Sequence, residues 1–150
     1  MLPSSLAIFV CRKGYGLFEK RNMEESYVKV VLYTGEDGRA RFRDEKVSLR
    51  EAGKIGYLSD IFGARGYQLR HSPVGFESAF HCTTEPQWVF ILQGVMEIEL
   101  ADGTTRSFSA GQSFFSDDRL PVGQEFKEGV HGHSSRQIGE QPLRTLFLKV

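Results

Sequence analysis

Apolar and polar residues in this chain alternate over short stretches, and glycine-rich turns separate the stretches. Tyr27 to Thr34 (YVKVVLYT) is rich in β-branched and aromatic residues, which favour a pleated, half-buried surface. Glu36-Asp37-Gly38 reads as a turn, and Ala40 to Arg43 as a short alternating strand. Ser48 to Asp60 has no clean period and reads as loop with one helical turn. Gly66 to Arg70 and Phe76 to Cys82 read as strands on either side of Ser72-Pro73-Val74-Gly75. Gln87 to Gln93 (QWVFILQ) is nearly continuously apolar, the pattern of a strand covered on both faces. After Gly94, Val95 to Leu100 alternates, with Met96, Ile98 and Leu100 on one face and Glu97 and Glu99 on the other. Ala101-Asp102-Gly103-Thr104 is a hairpin turn. Thr105 to Phe108, Gln112 to Ser116, His131 to Ile138 and Leu143 to Val150 complete the series, with a long loop over Asp117 to Val130. Many short strands at this spacing predict a sandwich or barrel.

Residues 1–22 show no sustained period and read as a loosely structured N-terminal extension. Residues 23–150 read as one domain. The full 150 residues suffice for a single core without a disulfide or metal staple. Nineteen basic residues balance nineteen acidic ones, which argues against nucleic acid and against an anionic membrane as partner. The longest early apolar run, Leu6 to Cys11, is too short for a membrane span and lacks the preceding basic segment of a secretory signal. Cys11 and Cys82 make no disulfide framework and no metal-binding C-x-x-C, so both are expected as reduced thiols in a cytoplasmic protein.

The stretch from Gly75 to Asp118 carries a spacing signature. Gly75 is followed after five residues by His81-Cys82-Thr83, then by Gln87 and by Gly94. Gly103 is followed after five residues by Ser109-Ala110-Gly111, then by Phe114 and Asp118. These spacings resemble the two motifs of the cupin family, Gly-x5-His-x-His-x3-4-Glu-x6-Gly and Gly-x5-Pro-x-Gly-x2-His-x3-Asn. The resemblance covers Tyr27 to Val150 and implies an all-β, cupin-type double-stranded β-helix, a jelly-roll barrel. It names no reaction, because the family hosts many. Of the four usual metal ligands, His81 alone stands in register. Thr83, Gln87 and Phe114 occupy the positions of the second His, the Glu and the late His.

Two readings of the site stay open. In one, a divalent transition metal is held by His81, Gln87 and His133, with His131 as a further ligand, in an oxygenase or isomerase. Imidazole suits zinc, iron, copper and nickel, but this set carries no negative charge. In the other, a metal-free patch of His81, Thr83, Gln87 and His133 binds a small organic molecule, and Phe114 and Trp88 supply apolar lining. His81 or His133 could then act as general acid or base. A third reading is a non-enzymatic ligand sensor or dimerisation module. Arg70 and Arg136 are weaker candidates for holding a ligand carboxylate or phosphate. Cys82 is expected to point away from His81, Asp117 and Asp118 to cap a turn, and His71 and His131 to face solvent. The loop over Asp117 to Val130 is a candidate lid. Strand Tyr27 to Thr34 suits exchange in a homodimer.

Overall fold

The computed structural model describes residues 25–150, so the N-terminal extension expected over residues 1–22 lies outside the described residues. Eleven strands follow in chain order: β1 Ser26–Thr34, β2 Ala40–Ser48, β3 Arg50–Glu51, β4 Tyr57–Leu58, β5 Gly66–Ser72, β6 Gln87–Gln93, β7 Val95–Leu100, β8 Thr105–Ser109, β9 Ser113–Asp117, β10 His133–Ile138 and β11 Leu143–Lys149. One 3-10 turn, Gly53–Ile55, sits between β3 and β4 where a single helical turn was expected. Among the described residues no helix is long and apolar enough to cross a membrane.

Six strands form one sheet in the order β2-β1-β9-β6-β11-β5, and three form a second in the order β10-β7-β8. The two sheets share one core. Leu32, Val89, Ile91 and Phe114 from the large sheet cluster with Met96, Ile98, Leu100 and Phe108 from the small one. The Phe108 and Phe114 rings meet across the sheets at 4.5 Å. The architecture is therefore a β-sandwich of the jelly-roll kind, in which the ladders do not close into a continuous barrel. β1 lies inside the large sheet, paired antiparallel with β2 and parallel with β9 of its own chain.

Three assignments change: Ser48 to Asp60, expected as loop, carries the short antiparallel pair β3–β4 around its 3-10 turn, and two strands have other bounds. β2 runs to Ser48 rather than Arg43. Its second half, Asp44-Glu45-Lys46, has no apolar alternation because β2 is an edge strand, and charged residues are tolerated there. Lys29 on β1 meets Glu45 at 3.4 Å. The expected strand Phe76 to Cys82 touches β10 only at two isolated bridges, Glu77↔Arg136 and His81↔His133. Between them the Ser135 N–H donates to the Ser78 hydroxyl at 2.9 Å. A side-chain oxygen there takes the place of a ladder carbonyl and interrupts regular pairing.

The β1–β2 turn carries the clearest titration. Asp37 accepts from both guanidinium nitrogens of Arg41, at 2.7 and 2.8 Å, and from the Arg39 N–H at 3.2 Å. The Arg41 hydrogen bonds are the larger cause holding its pKa down at about 2, against an ordinary 3.8. A depressed carboxylate stabilises the fold above its ordinary pKa, and that contribution fades as pH falls through the folded value. The urea midpoints of wild type and Asp37→Asn are therefore expected to differ at neutral pH and to converge between pH about 4 and about 2. A gap that persists at pH 2 contradicts the assignment.

Candidate functional site

A cavity of about 120 Å³ opens between the sheets. Its walls include His81, Thr83, Gln87, Phe114 and His133, five of the residues singled out by the sequence. They arrive by different routes. Gln87 and Phe114 sit on the inner face of the large sheet, where Gln87 is opposite Ser116 and Phe114 opposite Val89. His133 opens β10, and the His81 backbone is bonded to it reciprocally, N–H to carbonyl at 2.9 Å in both directions. That bridge sets the two imidazole rings 4.6 Å apart and tilted by 49°.

Gly132 allows the bridge. It has φ +77°, and a Cβ there would run into the His81 carbonyl and the Cys82 N. A residue with a side chain would therefore face both an unfavourable backbone conformation and a backbone collision.

Below the cavity floor lies Asp118, which is fully buried. Its Oδ2 accepts from His133 Nδ1 at 2.6 Å, and its Oδ1 accepts from the Thr83 hydroxyl. The Ser116 hydroxyl donates to the Thr83 oxygen at 2.6 Å. The Thr83 N–H donates to the Asp118 carbonyl at 3.2 Å. The carboxylate thus holds both the hydroxyl and the imidazole that reach the cavity. Asp118 was expected to cap a turn. The signal for its inward position was the phase of β9, since Phe114, Ser116 and Asp118 are two residues apart and share a face.

Hydrogen bonding fixes the tautomers. His81 Nδ1 lies 2.9 Å from the Ala79 carbonyl oxygen, which only accepts. His133 Nδ1 faces a carboxylate. Both rings therefore carry hydrogen on Nδ1, and in the neutral state both leave Nε2 as a bare lone pair. Long-range ¹H–¹⁵N spectra are expected to show the Nδ1–H tautomer for both residues. An Nε2–H tautomer at either position contradicts the geometry.

Three expected participants stand elsewhere. Trp88 is on the outer face of the large sheet, because alternation puts it opposite to Gln87 and Val89. There its ring packs on Phe90 at 5.8 Å and Phe115 at 5.6 Å. His131 is neither at the cavity nor in solvent. It is buried, accepts from the Lys127 N–H at 3.0 Å and packs beside Gly38, so it organises the loop after β9. The positive φ of Gly132 turns the chain between His131 and His133, so the two do not share a face. Arg136 is committed to Glu97 on β7, with Nε 2.8 Å from the carboxylate.

Two further residues enter the cavity wall, Cys82 against expectation and Arg70 as one of the weaker candidates. Cys82 lines it because the irregular backbone around the His81 bridge breaks the alternation expected to turn it away. Burial, and behind it the Asp118 charge, push its thiol pKa up, which suppresses a thiolate nucleophile. Arg70, from the inner face of β5, is half-buried in the wall.

The donor set does not suit a resident divalent metal. The Gln87 amide oxygen already accepts from the Lys149 ammonium at 2.6 Å, from the residue paired with it across β6 and β11. Both Asp118 oxygens are engaged. The two imidazole Nε2 atoms remain, with Arg70 adding positive charge to the wall, whereas such cations want several donors and compensating anionic ligands. Among the described residues no group of three or more His, Cys, Asp and Glu could hold a metal ion.

The glycines of both sequence motifs, Gly75, Gly94, Gly103 and Gly111, all adopt positive φ, between 77° and 87°. Each stands at a turn where a residue with a Cβ is disfavoured. The two sheets and these turns give a jelly-roll β-sandwich with the turn spacing that the cupin resemblance implies. No family model matches the chain, and no curated protein matches it. Among solved structures the chain is similar to the cupin domain of Cnp3 from Schizosaccharomyces pombe. The identity is 14% and the TM-score 0.41, over 83% of this chain and 86% of that one. It is also similar to a protein of Salmonella typhimurium LT2 assigned to ethanolamine utilization as protein Q. There the identity is 12% and the TM-score 0.36, over 84% of this chain and 95% of that one. Both likenesses are distant, and neither protein's role transfers to this chain.

Proposed function

We propose that this chain binds a small organic molecule in the cavity between its sheets, without a resident metal, and that His133 is its proton-transfer group. The observation that carries this reading is the convergence of His81, Thr83, Gln87, Phe114 and His133 on one cavity, with His133 held by the buried Asp118. The polar groups supply orientation, and Phe114, Val89 and Ile98 supply apolar contact. A carboxylate behind an imidazole fixes its tautomer and stabilises the imidazolium formed when Nε2 takes a proton. His133 can therefore accept a proton from a bound ligand and return it. His81, packed against it, offers a second bare nitrogen for a hydrogen bond.

A thermal-shift screen of small polar compounds on the full chain tests the reading. A ligand present at 100 times its dissociation constant stabilises by about 2.7 kcal/mol. Binders are expected to lose their effect in His81→Ala and His133→Ala. Binding that survives both substitutions contradicts the assignment of the cavity.

A second reading, a module that associates with its own copy, is favoured by the outer face of the large sheet. Tyr67, Leu69 and Leu92 are more than half exposed there, beside Trp88 and Phe90. An apolar face of that breadth commonly marks an interface. Light scattering is expected to report a dimer that Leu69→Glu dissociates. A monomer at micromolar concentration rejects this second reading and leaves the cavity untouched.

A further inference from the structure

The cavity wall has a charge asymmetry. Among its lining residues Arg70 is the permanently charged side chain, and no carboxylate lines the wall. Arg70 is half-buried, and burial alone lowers its pKa, with no acidic neighbour contributing. Its Nε donates to the Ser72 hydroxyl at 3.0 Å, and its guanidinium lies over the Phe76 ring at 4.3 Å. Among the described residues Arg70, Arg39 and Arg144 make no ion pair, whereas the other seven arginines do, and of those three Arg70 alone is not exposed. Its cross-strand neighbour on β11, Thr145, is buried with its own hydroxyl unpaired.

A guanidinium drawn partly out of water, held in place by stacking and by one Nε bond, keeps both terminal nitrogens for a planar acceptor. Leaving such a charge without a counter-ion is costly, and an anionic ligand removes the cost. The rest of the wall limits that ligand. The volume is below the roughly 150 Å³ that accommodates a benzene molecule. Val89, Met96, Ile98, Phe114 and Phe147 make much of the lining apolar.

We infer that the ligand is a short-chain organic carboxylate, its carboxyl group paired with Arg70 and its hydrocarbon part against the apolar wall. The inference rests on the proposed function and narrows it to a ligand class. It places the substituent next to the carboxyl group near the His81 and His133 imidazoles, so α-hydroxy acids fit best. A hydroxyl there can hydrogen-bond to a bare Nε2.

The test is an NMR titration of the ¹⁵N-labelled full chain with acetate, butyrate, lactate and 2-hydroxybutyrate, the matching primary amides, and inorganic phosphate. The carboxylates are expected to shift the Arg70 Nε–H and the His81, Thr83 and Ser135 amides saturably. The amides and phosphate are expected to bind at least tenfold more weakly. Arg70→Gln is expected to weaken carboxylate binding about 30-fold or more. Arg70→Lys, which keeps the charge and loses the fork, is expected to fall between the two. A native-like amide spectrum establishes that each variant is folded, and Arg70→Lys serves where Arg70→Gln is not. Equal binding of amides and carboxylates, tighter binding of phosphate, or unchanged carboxylate binding in the Arg70 variants overturns the carboxylate class. Those results leave the cavity as the site. Absence of saturable shifts from every compound overturns the class as well, and a hit from the thermal-shift screen that still depends on His81 and His133 separates that failure from failure of the site itself.

Discussion

Gly132→Ala is expected to destabilise the protein by about 3 kcal/mol or more. Two terms add. A non-glycine residue at φ +77° costs about 1–2 kcal/mol. The new methyl group also meets the His81 carbonyl and the Cys82 N, which are backbone atoms tied into the bridge to His133. A flexible side chain could swing aside, but this backbone cannot, and overpacking of that kind costs about 1–3 kcal/mol further. For a domain of this size the melting temperature should fall by roughly 6–12 °C. Gly129→Ala is the internal control. Gly129 has φ +73°, and a Cβ there meets nothing within 4 Å. It should show the conformational cost alone, about 1–2 kcal/mol. Equal loss in the two variants by urea denaturation would mean that the His81–His133 approach is looser than described.

Asp118→Ala is expected to cost about 3 kcal/mol. The carboxylate is fully buried and accepts from His133 Nδ1 and the Thr83 hydroxyl, so its removal orphans two buried donors at about 1–3 kcal/mol each. Water entering the space offsets part of that loss. Asp118→Asn separates the chemistry from the packing. Its shape fits, but its amide has one acceptor oxygen for the two donors. Where the oxygen stays with Thr83, the amide N–H₂ faces His133 Nδ1 and favours the Nε2–H tautomer. The Asn variant should therefore lose less stability than the Ala variant while His133 changes tautomer, which weakens any ligand that uses its bare Nε2. Both readouts are available on one sample, stability from urea and tautomer from ¹⁵N shifts. An Asn variant with wild-type stability and an unchanged His133 tautomer would remove Asp118 from the site.

Much of the sandwich was legible because its signals are local. Gln87–Gln93 and Val95–Leu100 have the boundaries read from their patterning, and Gly94 between them is the expected break. β2 was cut short because an edge strand carries charge on positions that an interior strand would make apolar. The segment from Phe76 to Cys82 was overextended because nothing in its sequence announces that the Ser78 side chain interrupts the ladder. The same irregularity put Cys82 on the cavity side. The site itself was half legible. The motif spacing located His81, Thr83, Gln87 and Phe114, and His133 came from the strand read over His131 to Ile138. Trp88 was misplaced because a nearly continuously apolar strand does not mark its inner face, although its position puts it opposite to Gln87 and Val89. Asp118 was passed over because adjacent aspartates at a strand end resemble a turn cap, and its 15-residue separation from His133 hides the contact. Lys149 carries no motif at all. Its bond to Gln87 exists only because β6 and β11 pair in that register.

The pairing of Lys149 with Gln87 is also what separates the two chemistries available to this set of side chains. A metal site would need the Gln87 oxygen, and an organic-anion site would leave it with the ammonium. Metal analysis of the full chain, purified without chelator from medium supplemented with zinc, iron, manganese and nickel, is the most direct measurement. The expected result is well below one equivalent of any metal, unchanged in His81→Ala and His133→Ala. One full equivalent that disappears in both variants would contradict the metal-free site.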